Sequence, residues 1–284
     1  MTLSLFDRKS LVMMKFTIGL MSAFALTACG GGGGGGNPTP SDYVSFLDPT
    51  SMETAALSTI SISSTGQSSS TDSVDGANGT ITLAGLAGQF DRENGRITFT
   101  TDGGFADILP TQTTYVALFN AQPNTTSPFL GIVGVLTEGP DLPSQGSVDY
   151  AGTQSARFFI VDADEGAAFD VTGDVRVTVN FDSDFVDLSF DNLNGTKVIG
   201  VGPETAVTNL GVIEIDDAEL LAGAFTGGTA EFTGSSDITA TLTGSETVTT
   251  NGTFFGPDGA EVAGIVIIDD SSDALTITGG FTAN

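Results

Sequence analysis

The sequence predicts an all-β protein whose strands form an antiparallel barrel or a sandwich. From Asp42 onward, no long stretch repeats its apolar residues every 3.6 positions, as an amphipathic helix would. Instead, β-branched and aromatic residues alternate with polar ones over short segments, and glycine-rich turns separate these segments. Many short strands at regular spacing are typical of antiparallel barrels and sandwiches.

The first half of the chain carries the weaker strand signals. Residues 52–60 fit either a helical turn or a strand. Residues 61–79 are rich in Ser, Thr, Gly and Asp, which favours a loop or an edge. Four later segments predict strands, the last two of them paired: 80–83, 96–100, 114–119 and 129–136. Residues 140–143, with two prolines, indicate a linker before the second half.

The second half predicts about eight to ten short strands. The alternating or β-branched segments are 147–150, 156–161, 174–181, 185–190, 211–215, 229–232, 238–242, 247–255, 262–268 and 274–281. Asp216 and Asp217 follow one of these segments, where aspartate favours a turn.

Composition excludes several classes of function. The net charge is −27, and such a surface repels DNA and RNA, so no nucleic-acid partner is expected. The chain has no histidine and one cysteine. It therefore has no Ser-His-Asp or Cys-His catalytic pair, no histidine zinc site and no disulfide within the chain. The acidity fits solubility, or attraction of a cationic partner or of Ca²⁺.

The N-terminal region predicts a secreted protein. Residues 16–28 are apolar or small and follow Lys15, as in a secretory signal, and they are too few to span a bilayer. Leu26-Thr27-Ala28-Cys29 resembles the bacterial lipobox, in which the cysteine is acylated after cleavage before it. The alternative is a stray cysteine in an ordinary signal peptide. We expect a lipoprotein signal peptide over 1–28, lipid attachment at Cys29, and a flexible glycine-rich linker over 29–41.

One hairpin is the strongest local unit of the sequence. Gly256 to Gly259 place proline second and glycine fourth, as in a type I turn, and apolar strands flank them. We expect Phe254 or Phe255 to lie opposite Ala263 and Gly264, because a ring over a strand glycine covers exposed backbone. Glu261 is expected to accept hydrogen bonds from turn amides and to have a structural role.

The segment from Gly252 to Gly264 resembles the penultimate hairpin of the transferrin-binding protein B-like surface lipoproteins. The residues that carry this resemblance are Phe254, Phe255, Gly256, Pro257, Glu261 and Gly264. Phe255 stands where the family usually has tyrosine, and Gly259 requires an insertion. Residues 148–153, 175–181 and 230–234 resemble earlier strands of the same barrel.

The resemblance implies an eight-stranded antiparallel β-barrel over 144–284, preceded by a smaller β-rich handle domain over 42–143. It also implies a lipid-anchored protein at the outer-membrane surface of a Gram-negative bacterium. There it would capture an iron- or haem-carrying protein or another solute and pass it to a TonB-dependent receptor. It supplies no ligand-binding residues, since the contacts of the family lie in variable loops.

Other candidate sites are less specific. The carboxylates at 162–170 and 182–187 are expected to be solvated turn residues, with a weak Ca²⁺ site as the alternative. Lys197 beside Asn194 and Gly195 is expected to be a turn residue. No catalytic residue, metal or cofactor is expected. Besides ligand capture, two hypotheses stay open: a structural or adhesive surface protein, and a hydrolase that uses two carboxylates alone.

Overall fold

The computed structural model describes residues 55–63, 66–75, 78–91, 95–235, 237–238, 242, 246–270 and 274–284. The predicted signal peptide, Cys29 and the glycine-rich linker lie outside these residues. Helix among the described residues is limited to the 3-10 turns Gly139–Asp141 and Pro257–Gly259. None of the described helical segments has the length and apolarity that crossing a membrane requires.

The first half of the described chain forms a closed antiparallel barrel of eight short strands. Its strands are β1 (Ala55–Ser63), β2 (Gly66–Asp75), β3 (Thr80–Leu83), β4 (Leu86–Asp91), β5 (Arg96–Phe99), β6 (Phe105–Ile108), β7 (Val116–Gln122) and β8 (Phe129–Gly134). Each strand pairs with the next, and β1 closes the ring against β8, with Ile60 opposite Ile132.

The second half forms a larger barrel. Its strands are β9 (Ser147–Asp162), β10 (Ala167–Asn180), β11 (Phe185–Ile199), β12 (Thr205–Val207), β13 (Gly211–Leu221), β14 (Ala224–Thr226), β15 (Thr229–Gly234), β16 (Thr247–Phe255), β17 (Glu261–Asp269) and β18 (Leu275–Ala283). Because β11 also pairs with β13, eight of these strands form a closed ring, and β12 and β15 are added at its edges. β9 lies between β10 and β18, with Ile160 opposite Ile277.

Alternation along the strands explains which face each side chain takes. In β10, buried and less buried residues alternate from Ala167 to Asn180, as one-sided burial requires. By contrast, all of β8 and the first six residues of β7 and β17 are buried. One face of each of these strands lines its own barrel, and the other packs against the neighbouring barrel.

The predicted all-β fold with an eight-stranded antiparallel barrel is confirmed. The smaller domain before it is itself a closed barrel. The loop or edge expected over 61–79 is wrong, because β2 is a ten-residue strand inside the ring. Its polar residues face outward, while Asp72 faces inward and accepts hydrogen bonds from the backbone amides of Ala84 and Gly85 at 2.7 and 3.1 Å.

Candidate functional site

The hairpin formed by β16 and β17 joins the two barrels. Phe254 lies opposite Val262, and Phe255 lies opposite Glu261. The register therefore differs from the expected pairing with Ala263 and Gly264, because five residues, 256–260, connect the strands. The turn also differs from type I, since Asp258 has the left-handed angles φ 56° and ψ 22°.

Phe254 and Phe255 point to opposite sides of the barrel wall. Phe254 packs inside the second barrel, with its ring centroid 6.1 Å from that of Tyr150 and 6.3 Å from that of Phe225. Phe255 points outward and is completely buried against the first barrel. A Cβ at Gly134 would lie 2.6 Å from the Phe255 ring, so glycine leaves the space that this ring occupies.

An apolar cluster between the barrels surrounds Phe255. The first barrel supplies side chains from β1, β7 and β8, and the second barrel supplies them from β16 and β17. The buried members are Ile60, Ile62, Val116, Leu118, Leu130, Ile132, Phe255, Ala263 and Ile265. Backbone pairing extends the contact, since Leu136 bridges to Phe255 and the Thr137 amide donates to the Phe254 carbonyl at 3.0 Å. This junction holds the two barrels together.

Glu261 is the polar centre of this junction. It is only 2% exposed. Its carboxylate accepts hydrogen bonds from the backbone amide of Thr114 and from those of Tyr115 and Val116, the last two at 2.7 and 3.0 Å. Burial raises the pKa of Glu261 above its ordinary value, and the three amide donors oppose that shift. These amides precede β7 of the first barrel and do not belong to the turn of the hairpin, as the sequence had suggested.

The remaining hairpin residues fit close backbone contacts. Gly256 has a φ of 77° and lies under the Tyr115 ring, which would be 2.4 Å from an added Cβ. Gly264 lies opposite Phe281, whose ring covers it, so the ring that covers this strand glycine comes from β18. The Tyr150 hydroxyl donates to the Gly259 carbonyl at 2.8 Å, and burial raises its pKa to about 12.

The interior of the second barrel is filled by side chains. The Phe190 ring packs edge-to-face against those of Phe158 and Phe281, with centroid distances of 4.9 and 5.4 Å. A small groove between the barrels, bordered by Leu109, Leu118 and Arg157 among others, encloses about 170 Å³. That volume is below the roughly 300–1,000 Å³ of typical small-molecule sites. The filled interior weakens the hydrolase hypothesis, which needs a deep cleft with two facing carboxylates.

The acidic segments near 162–170 are used in ion pairs. Glu165 pairs with Lys197 at 2.7 Å, and Asp170 pairs with Arg157 at 2.8 Å. Lys197 lies within strand β11 and is buried. The expectation that it is a turn residue is therefore wrong. Among the described residues, no group of three or more acidic side chains is arranged to hold a metal ion.

Comparison with known proteins identifies the second barrel. Residues 142–284 match the family model described as the C-lobe and N-lobe beta barrels of Tf-binding protein B. No curated protein matches the sequence significantly.

Solved structures of transferrin-binding protein B share the fold. A double mutant of this protein from Haemophilus parasuis Hp5 matches with a TM-score of 0.56 at 16% identity, covering 81% of this chain and 45% of that one. The isotype 1 protein from serogroup B Neisseria meningitidis matches with a TM-score of 0.52 at 13% identity, covering 81% and 43%. The chain thus spans less than half the length of these proteins, and the likeness concerns the fold.

Proposed function

The chain belongs to the family of transferrin-binding protein B β-barrels, and from this we propose that it is a surface-exposed lipoprotein that captures a protein ligand. The family is named for a protein that binds another protein, and its description gives a binding role and no catalytic activity. The match over the complete second barrel is the observation that carries the proposal.

The proposed ligand is an iron- or haem-carrying protein. The family description names transferrin, an iron carrier, as the ligand of the protein that defines it. We extend the proposal to the wider class of such carriers, because this chain spans less than half the length of the transferrin-binding proteins that it matches. The alternative ligand is a solute that is bound directly, without a carrier protein. Handing the ligand to a TonB-dependent receptor of the outer membrane would complete that role.

The proposed location is the outer membrane of a Gram-negative bacterium, with the protein anchored by lipid at Cys29. The lipobox-like sequence supports the lipid anchor. Residue 30 is glycine and not aspartate, which, by resemblance to lipoprotein sorting, favours the outer membrane. Several acyl chains give stable anchoring where a single chain would be marginal. If residues 30–40 form the expected flexible linker, a random coil of that length would reach roughly 15–20 Å, and the barrels would stand away from the lipid surface.

The anchor is tested by Cys29→Ser. Labelling with a fatty-acid analogue, followed by separation of membranes, should show acylation and membrane retention of the unchanged protein and neither for the variant. Acylation of the variant would contradict the proposed anchor. Cys29 is the only cysteine of the chain, so no other thiol can take its place.

Ligand capture is tested on intact cells that display the full-length protein. Cells are incubated with serum or native medium at low and at physiological salt, and retained proteins are identified against cells that lack the protein. Retention of one iron- or haem-carrying protein at physiological salt is the expected result. Retention only of basic proteins that elute as salt rises would refute ligand capture and favour a structural or adhesive surface protein.

A further inference from the structure

One outer face of the second barrel concentrates negative charge. It consists of the outward side chains of residues 185–190 on β11, 211–221 on β13 and 229–234 on β15, three strands that pair side by side. These segments contain six carboxylates and neither lysine nor arginine: Asp187, Glu214, Asp216, Asp217, Glu219 and Glu231. All six side chains are exposed. We call this face the acidic wall.

The strand pairing brings these like charges together. Glu214 lies directly opposite Glu231 across β13 and β15. A bulge in β13 places both Asp216 and Asp217 on the outer side opposite Asp187, since Ile215 pairs with Leu188 and Ala218 with Val186. The amide of Asp217, at a φ of 57°, donates to the Asp187 carboxylate at 3.0 Å. The expected turn at 216–217 is therefore wrong, and the two residues form a bulge within a strand.

Such an arrangement opposes folding stability. Like charges directly opposite each other on paired strands are destabilising. Partial desolvation of this exposed carboxylate, together with the negative charges of Asp187, Asp217 and Glu231, raises the pKa of Asp216. The three ion pairs between described residues lie elsewhere. On the neighbouring strand β10, Arg176 lies opposite Ser189 of β11. The three segments of the wall themselves supply no cation to balance its six carboxylates.

Two large apolar side chains stand at one end of the acidic wall. Phe185 is 41% exposed and Leu221 is 70% exposed. Phe185 lies opposite Glu219, and Leu221 follows two residues later on the same outer face of β13. The Leu220 amide donates to the Asp184 carbonyl at 2.8 Å, which fixes the two strand ends side by side. We call Phe185 and Leu221 the apolar pair.

We propose that the acidic wall and the apolar pair form a docking surface for a basic protein whose contact face is an apolar patch ringed by lysine or arginine. The wall is charge-complementary only to a cationic partner, and it would accelerate association. Burial of the apolar pair would then hold the partner at salt concentrations that screen exposed charges. The inference rests on the proposed function in taking the ligand to be a protein, and it adds the location and chemistry of the contact.

The test uses cytochrome c as the probe, a basic protein with a lysine-ringed apolar face, and lysozyme as a basic comparison protein. Binding to the full-length acylated protein in detergent is measured by biolayer interferometry at low salt and at about 150 mM salt. We expect cytochrome c to remain bound at the higher salt and lysozyme to dissociate. Loss of cytochrome c at that salt would overturn the proposal.

Two pairs of variants assign the contact. Phe185→Ser with Leu221→Ser should weaken cytochrome c binding about ten-fold or more, because two apolar side chains are no longer buried. Glu214→Gln with Glu231→Gln should slow association and flatten its salt dependence. The matched control, Glu138→Gln with Asp164→Asn, removes two exposed charges outside the wall and should change neither. If the control variant slows association as much as Glu214→Gln with Glu231→Gln does, the attraction comes from the net charge of the whole protein, and the proposal is overturned.

The same variants separate this inference from the proposed function. If cells retain an iron- or haem-carrying protein equally well with the Phe185→Ser and Leu221→Ser changes, the docking surface is wrong and ligand capture stands. If cytochrome c binds at the wall but cells retain no such carrier, the docking surface stands and the proposed ligand class is wrong.

Discussion

Replacement of Glu261 tests whether one buried carboxylate holds the two barrels together. Glu261→Ala removes the acceptor of three backbone N–H groups, of which only that of Val116 is fully buried. A hydrogen bond to a charged group contributes about 1.5–3 kcal/mol when it is buried and less when it is partly exposed. We therefore expect a loss of about 3–5 kcal/mol in the free energy of unfolding. Glu261→Gln keeps one carbonyl oxygen and should lose only about 1–2 kcal/mol.

Urea unfolding measures these losses, and hydrogen exchange locates them. The amides of residues 114–116 should exchange much faster in Glu261→Ala, while those in the centre of β10 should change only with global stability. Glu138→Gln, on an exposed residue, is the control and should lie within about 0.5 kcal/mol of the unchanged protein. If Glu261→Ala is as stable as that control, the carboxylate does not hold the junction and the reasoning is refuted.

Three further predictions concern the second barrel. Gly195→Ala should cost on the order of 1–3 kcal/mol in urea unfolding, because its Cβ would lie 2.0 Å from a backbone carbonyl oxygen, whereas Gly139→Ala meets nothing within 4 Å and should be neutral. Lys197→Met should cost about 1–3 kcal/mol, and a double-mutant cycle with Glu165→Gln should show coupling, whose absence would contradict the ion pair. The raised pKa of Asp216 means that its contribution to stability is present below its unfolded pKa near 3.8 and is lost as pH rises through the folded value. Asp216→Asn should therefore add a few tenths of a kcal/mol at pH 7 and nothing at pH 3, and equal effects at both pH values would refute the like-charge argument.

Local patterns predict the strands of this protein well where one face is buried. The alternation at 174–181 and 185–190 lies largely within β10 and β11, because a period of two follows directly from strand geometry. β2 lacks this signal because its outward face is polar and few of its inward residues are apolar. It is held in the ring by pairing with β1 and β3, which no local pattern reveals.

The contacts of the hairpin depend on residues distant in sequence. Its six characteristic residues are recognisable from the segment itself, but the amides that bind Glu261 lie about 145 residues earlier in the chain. Similarly, Lys197 follows an Asn-Gly pair that suggests a turn, yet its partner Glu165 comes from the neighbouring β-hairpin. A single sequence without this three-dimensional context does not specify such partners.

The pairing of the first strand with the last in each barrel affects how the chain folds. β1 meets β8, and β9 meets β18, so each ring closes only when its first and last strands come together. Pairing between residues far apart in sequence makes folding slow, because the entropy of loop closure is lost before the contacts form. The first ring contains all its strands before β9 begins, and the cluster around Phe255 requires both rings, so we expect it to form last.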